Sequence, residues 1–278
     1  MTRPPLLLVD GHNLLWTAAM GSPASISSRD GERDLTGVFM FLALLRKAVR
    51  ENVPQVPEVL VVFDGEAGSA GRKALDPGYK ANRSEQTPLP IKSLPDVKRG
   101  LDVISVPWIE IDEHEADDVI ASATRCAEAR HCVILSRDRD YYQLLDERVH
   151  VLNTSRAAGQ RIISPEEIVQ RFRVEPRQWC DRAALVGDAS DNIPGVRGVG
   201  PITAARLLAD GLHLEDLPES GRLTGRLGQA VLASWEQILT WRDVVRMIDD
   251  IALPIEPTGA PAPEIPKAAA IVEALGLW

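Results

Sequence analysis

Cysteine is sparse in this chain of 278 residues, and what there is does not pair. Cys126, Cys132 and Cys180 form no CxxC spacing and leave an odd count, which argues against a disulfide framework and a cysteine-based zinc site. The histidines, His12, His114, His131, His150 and His213, show no HExxH or zinc-finger spacing, so zinc lacks its usual ligands. No apolar run approaches the roughly 20 residues that cross a bilayer, and Asp10 cuts the opening run Leu6-Leu7-Leu8-Val9 before it could serve as a signal-peptide core. Cytoplasmic residence, with no membrane partner, is the expectation. Internal repeats and heptads are missing as well, which leaves a monomer as the default. Net positive charge is also lacking: 31 basic residues face 40 acidic ones, for a balance of −9, unpromising for a protein that grips polyanions.

The acidic excess is not spread evenly. Nine carboxylates fall in clusters: Asp10, Asp64, the run Glu115-Ala116-Asp117-Asp118, the pair Asp138 and Asp140, and Asp188 with Asp191. Setting those nine aside leaves 31 acidic residues against 31 basic. Two or three divalent ions would return about four to six positive charges to the site. Carboxylates packed into one cleft raise one another's pKa unless cations neutralise them. Hard oxygen donors without clustered His or Cys favour Mg2+ or Mn2+ over zinc, so the nine read as one metal site acting on nucleic acid. On a helix, Glu115 and Asp118 share a face while Asp117 points elsewhere, which suits ligands reaching two ions.

Beside the last acidic pair lies Gly195-Val196-Arg197-Gly198-Val199-Gly200-Pro201, a glycine-rich hairpin opening a helix, whose free backbone N–H groups suit phosphate without reading bases. Residues 72–99 carry seven basic side chains, and Tyr79-Lys80-Ala81-Asn82-Arg83 sets an aromatic beside two cations, a combination for base stacking next to phosphate contact. Arg171, Arg173, Arg177, Arg182, Arg197 and Arg206 add a surface able to track a phosphate backbone.

Runs rich in Val, Leu and Ile at Leu6–Asp10, Val59–Asp64, Val133–Ser136 and Val149–Leu152 read as buried strands of a largely parallel sheet. Amphipathic patterns over 36–51 and 116–129 read as helices between them. The fold class is therefore α/β, a sheet flanked by helices. Asp10, Asp64 and Asp138 fall at strand carboxyl ends, where such folds gather ligands. From about Ser164 the pattern is helical, with Pro165 and Pro176 in helix first turns and further helices over 202–208 and 227–247. Residues 254–266 are proline-dense and read as an extended strap before a short helix near 268–275. The expected divisions are an α/β catalytic domain over 1–163, a helical subdomain over 164–253, and the strap with its terminal helix over 254–278.

Six segments occur in an order that resembles the 5′-nuclease family: stand-alone 5′-3′ exonucleases, the amino-terminal nuclease of DNA polymerase I, and flap endonucleases. They are Val9-Asp10-Gly11, Val62-Phe63-Asp64-Gly65, Tyr79 to Arg83, Glu115 to Ile120, Asp138-Arg139-Asp140 with Gln143-Leu144, and Gly187 to Gly200 with Thr203-Ala204. The resemblance runs over roughly residues 6–210. It implies a PIN-like fold with a helical arch over about 66–100 and a DNA-gripping helix-three-turn-helix motif over about 188–208. It also implies a K+ ion held by backbone carbonyls at Val196 and Val199. Nucleic-acid contacts would come from Arg72, Tyr79, Lys80, Arg83, Gly195, Arg197, Gly198, Gly200 and Thr203. Two departures stand out: Trp16-Thr17 replaces a frequent Tyr-Arg pair, and the segment before Arg72 lacks the usual Phe-Arg spacing. No polymerase domain is expected in a sequence that stops at Trp278.

Residues and resemblance together imply two-metal-ion hydrolysis of DNA at 5′ ends, 5′ flaps and branched duplex, leaving 5′-phosphate and 3′-hydroxyl ends, in replication and repair. One ion is expected at Asp64, Glu115 and Asp117 with Asp10 close by. The other is expected near Asp138, Asp140 and Asp191, with Asp118 and Asp188 in reserve. Lys80 and Arg83 would neutralise charge on the phosphoryl oxygens. The rivals are a module that binds branched DNA without cutting it and an RNA-processing nuclease. A haloacid-dehalogenase-type phosphatase is excluded, since His12 stands where it needs an Asp.

Overall fold

Alternation hidden within uniformly apolar strands sets the layers. In β1 (Leu6–Asp10), Leu6 and Leu8 belong to one core and Leu7 and Val9 to another on the opposite face, so the strand is apolar throughout because both faces are covered. The computed structural model describes residues 3–83, 89–127 and 130–278; residues 84–88 of the expected arch lie outside the described residues. The strands β2 (Glu58–Asp64), β3 (Trp108–Ile111), β4 (Cys132–Leu135), β5 (Val149–Leu152) and β6 (Ile162–Ile163) complete a sheet of order β3-β2-β1-β4-β5-β6. All neighbours are parallel except β6, which runs antiparallel to β5. β3 and β6 were not expected from the sequence.

Helices α1 (Gly11–Met20), α2 (Thr36–Lys47), α3 (Ala70–Leu75), α4 (Leu94–Val103) and α5 (Ala116–Cys126) belong to the sheet-bearing half. Of these, α1, α2 and α4 cover the Leu7 face and α5 the Leu6 face. The expected helix over 36–51 ends at Lys47 and widens into a π turn, Ala48–Asn52. Then follow α6 (Pro165–Phe172), α7 (Trp179–Val186), α8 (Pro201–Leu207), α9 (Gly225–Ala233) and α10 (Trp235–Val245), whose buried residues extend the Leu6-face core. Pro165 opens α6 as expected, whereas Pro176 opens a 3₁₀ turn leading into α7, and the long helix over 227–247 is two helices meeting at Ser234.

The proline-dense strap docks on the body. Glu58 accepts the Thr258 and Gly259 N–H groups, at 2.6 and 2.9 Å, and pairs with buried Arg130 at 2.7 Å. Arg46 Nε donates to the Ile265 carbonyl at 2.9 Å. Beyond the strap, α11 (Ala268–Ala274) inserts Ile271 and Val272 into the Leu7-face core. Among the described residues no helix is long and apolar enough to cross a membrane.

Candidate active site

Asp10, Asp64 and Asp138 lie where β1, β2 and β4 end, as the sequence pattern expects of an α/β sheet. Asp10 caps α1 by accepting the Asn13 N–H at 2.9 Å, and its other oxygen accepts from Ser136 Oγ at 3.1 Å and Tyr141 Oη at 3.2 Å. Burial, Asp64 and Asp138 push its pKa up to about 7. Asp64 accepts the Ala116 N–H at 2.8 Å, and its own N–H donates to His12 Nδ1 at 3.0 Å. Asp138 accepts the Asp140 N–H at 3.0 Å. Asp140 is held well above the usual carboxylate range by burial, then by Asp138, Asp191, Asp188 and Asp117. Asp188 binds Ser190, and Asp191 pairs with Arg83 at 3.1 Å; burial raises Asp191 against the opposing pull of Lys80.

The third group differs from expectation. Glu115 caps α5 in extended conformation instead of lying on the helix, and the three acids converge on one guanidinium. Buried Arg72 reaches Glu115 at 2.5 Å, Asp117 at 3.3 Å and Asp118 at 2.7 Å, while its Nε donates to the Val244 carbonyl at 2.9 Å. Arg72 therefore faces protein, which corrects its assignment to the nucleic-acid surface. Asp118 also accepts the Ile248 N–H at 2.8 Å, so its oxygens tie α5 to the segment after α10. Tyr79 is corrected likewise: the residue is 4% exposed and its hydroxyl donates to Glu115 at 2.8 Å, leaving no face for a base. Lys80 pairs with Glu115 from a backbone at φ 54, the left-handed region that a lysine enters only under local constraint. The Lys80 N–H donates to the Asp191 carbonyl at 3.0 Å, and Asn192 Nδ2 donates to the Gly78 carbonyl at 2.7 Å. The 76–83 segment is thus bonded to the turn before the hairpin.

Among the described residues no three carboxylates, histidines or cysteines stand close enough to enclose one ion. The nine carboxylates stand in three adjoining groups, Asp10 with Asp64, Glu115 with Asp117 and Asp118, and Asp138 and Asp140 with Asp188 and Asp191, beside which Arg72, Lys80 and Arg83 supply neutralising charge. The donor set still suits a hard divalent cation. It is all oxygen, and the raised Asp10, Asp117 and Asp140 show the like-charge crowding that such a cation relieves.

The hairpin is pinned to α7 by two glycines. Gly187 and Gly195 have φ 87 and 67, and a Cβ on Gly195 would strike Gly187 and Val186 backbone. Val196 and Val199 turn buried side chains inward, the Val196 N–H donates to the Leu185 carbonyl at 2.9 Å, and the Val196 carbonyl accepts the Val199 N–H at 2.9 Å. Arg197 and Gly198 form the exposed tip, Gly200 caps α8, and Thr203 lies half-buried in its first turn. Sequence reasoning did not find Ser136 or Tyr141 as partners of the site; their contacts with Asp10 span 126 and 131 residues and leave no local pattern.

Residues 5–173 match the model of the 5′-3′ exonuclease N-terminal resolvase-like domain, and residues 174–267 that of the 5′-3′ exonuclease C-terminal SAM fold. The chain is 38% identical over 259 residues to DNA polymerase I of Deinococcus radiodurans, covering 90% of this chain and 26% of that protein. It is 34% identical over 274 residues to the thermostable DNA polymerase I of Thermus aquaticus, covering 97% and 32%. The chain thus spans about a quarter to a third of the length of these relatives. Its fold is shared with the bacteriophage T5 flap endonuclease solved with DNA and metal ions, at TM-score 0.67 and 21% identity over 98% of this chain and 93% of that one. Matched by both of the family's domains from residue 5 to residue 267, the chain belongs to the 5′-3′ exonuclease family.

Proposed function

We propose that this chain is a divalent-metal-dependent 5′-3′ exonuclease and 5′-flap endonuclease that hydrolyses DNA phosphodiesters to 5′-phosphate and 3′-hydroxyl products, working as a cytoplasmic monomer in replication and repair. The observation that carries the reading is the gathering of carboxylates from β1, β2, α5, the turn after β4 and the 188–191 turn beside the cations of one segment, Lys80 and Arg83. Residues 1–163 form the catalytic domain, 164–253 the DNA-binding subdomain and 254–278 the strap in this reading. To hold one Mg2+ or Mn2+, Asp64, Glu115 and Asp117, with Asp10 close by, would have to draw together from their present spacing and their pairing with Arg72 and Lys80; Asp138, Asp140 and Asp191, with Asp188 in reserve, would do the same for another, and the ions would supply an acidified water and charge neutralisation at the scissile phosphate.

The chain's own residues do the rest. Ser136 and Tyr141 hold Asp10 in one orientation. Lys80 and Arg83, drawn from carboxylates onto phosphoryl oxygens, stabilise charge that grows during attack. The hairpin tip at Arg197 and Gly198 holds duplex backbone, with K+ at the Val196 and Val199 carbonyls. Asp118, bonded to Arg72 and Ile248, has a positioning role.

The test is a 5′-labelled single-flap duplex incubated in Mg2+ and K+, beside EDTA and single-stranded RNA controls. Metal-dependent cutting near the junction is expected. Binding without cutting, or cutting of RNA alone, would replace this reading. Asp117→Ala is expected to abolish cleavage while DNA binding stays measurable, and Lys80→Ala to slow cleavage about 10²–10³-fold with a smaller effect on binding.

A further inference from the structure

Outside the carboxylate groups, α6, α7 and α8 line an open cleft of about 370 Å³. Arg171, Arg173, Arg182 and Arg206 line it together with Phe172, Ala205 and Ile202, the last 79% exposed. Nearby arginines have acids: Arg156 holds Glu167, Arg177 holds Glu175 and Arg222 holds Asp210. The four lining arginines have no carboxylate within pairing distance among the described residues. Arg182 stacks its guanidinium 5.0 Å from both the Phe172 and Trp179 rings, and Arg171 lies 5.1 Å from Phe172. The buried Arg182 Nε has no hydrogen-bond partner, and burial together with nearby Arg139 works against its charge. Only Arg182 is partly withdrawn from water, and its charge, set against apolar walls without a counter-charge, would be stabilised by an anion; Arg171, Arg173 and Arg206 are exposed and free to meet one.

We propose that this pocket seats one nucleotide of an unpaired DNA strand, its base stacked on the arginine–aromatic layer beside Ile202 and its phosphates on the exposed arginines. The volume lies within the roughly 300–1,000 Å³ of small-ligand pockets. A paired base cannot enter a concave site, whereas an unpaired one presents a free π-face to a guanidinium or ring. Two neighbours favour nucleic acid over an acidic peptide: α8 is the helix opened by the Gly195–Gly200 hairpin, and Arg139 stands between Asp138 and Asp140. The pocket would thus receive the single strand that leaves a duplex held by the hairpin. The identity of the ligand as DNA rests on the function proposed above.

The experiment measures anisotropy of the full chain in EDTA with a blunt duplex and with the same duplex bearing a single-stranded extension. The wild type should prefer the extended probe about tenfold, consistent with one stacked base. Arg171→Ala/Arg206→Ala should reduce that ratio to about one and lower the salt dependence for the extended probe by about one to two units; Arg182→Gln should reduce the ratio as well. An unchanged ratio, or a wild type that shows no preference, overturns the proposal, as does an acidic peptide that displaces the extension from wild type at lower concentration than single-stranded DNA. Flap cleavage in Mg2+, run in parallel, reports separately on the nuclease reading: cutting with an unchanged ratio removes the pocket alone, and a variant-sensitive ratio without cutting removes the nuclease alone.

Discussion

A guanidinium enclosed by three carboxylates and a backbone carbonyl, as Arg72 is, neutralises charge that would otherwise be buried without a partner. Removing one side of a buried ion pair costs about 3–5 kcal/mol. Arg72→Ala should lower unfolding stability by about that amount, read from the urea midpoint, whereas Arg72→Lys, lacking the planar fork, should fall between. A loss below about 1 kcal/mol would show that the carboxylates find other partners. Little of this was legible in the sequence. The acids stood out through spacing and strand ends, but the identity of their counter-charges depends on contacts across 35 to 46 residues, and Arg72 read as one cation in an exposed basic run. Tyr79 was misread for the same reason, since an aromatic between cations looks alike whether its ring faces solvent or packs beneath an acid.

At the scale of elements, uniform apolar runs gave β1, β2, β4 and β5 almost to the residue, because strands covered on both faces cannot alternate in polarity. β3 escaped notice because Glu110 interrupts it at the sheet edge, and β6 because two residues carry no period. The hairpin was legible through its glycines. Gly195→Ala should disturb it by forcing φ 67 on a side chain with no room; duplex binding is expected to fall while the far-UV spectrum stays unchanged. The strap's docking was not legible, since proline density reports an extended chain and not what it lies against. Burial acts to raise Glu58, but Arg130, Gly259 and Thr258 outweigh it and leave its pKa lowered. A lowered carboxylate contributes stability above its ordinary pKa of 4.5 and loses it as pH falls through the folded value. Strap docking, followed by hydrogen exchange at Thr258 and Gly259, should therefore weaken below about pH 4.5, and Glu58→Gln should weaken it already at neutral pH.

The whole molecule carries an opposing dependence at its acidic edge. Asp10 titrates near 7 against an ordinary 3.8, so the folded state binds more protons than the unfolded one between those values, and this group's ionisation lowers stability as pH rises through the window. A divalent cation that prefers the ionised form should reverse the effect. Mg2+ or Mn2+ is expected to raise the melting temperature most at neutral pH and to release protons on binding, measured by calorimetry in buffers of different ionisation enthalpy. Stabilisation that is equal at pH 5 and pH 7.5 would count against metal binding at these carboxylates. The sheet order has a temporal consequence. β1 pairs with β2 at Glu58 and with β4 at Cys132, and its Leu7 face is completed by Ile271 and Val272. During synthesis at about 5–20 residues per second, Leu6 to Val9 leave the ribosome on the order of ten seconds before their second partner exists. For that interval four consecutive apolar side chains have only a chaperone or the nascent chain itself for shelter, so the earliest strand made is the one whose aggregation risk lasts longest.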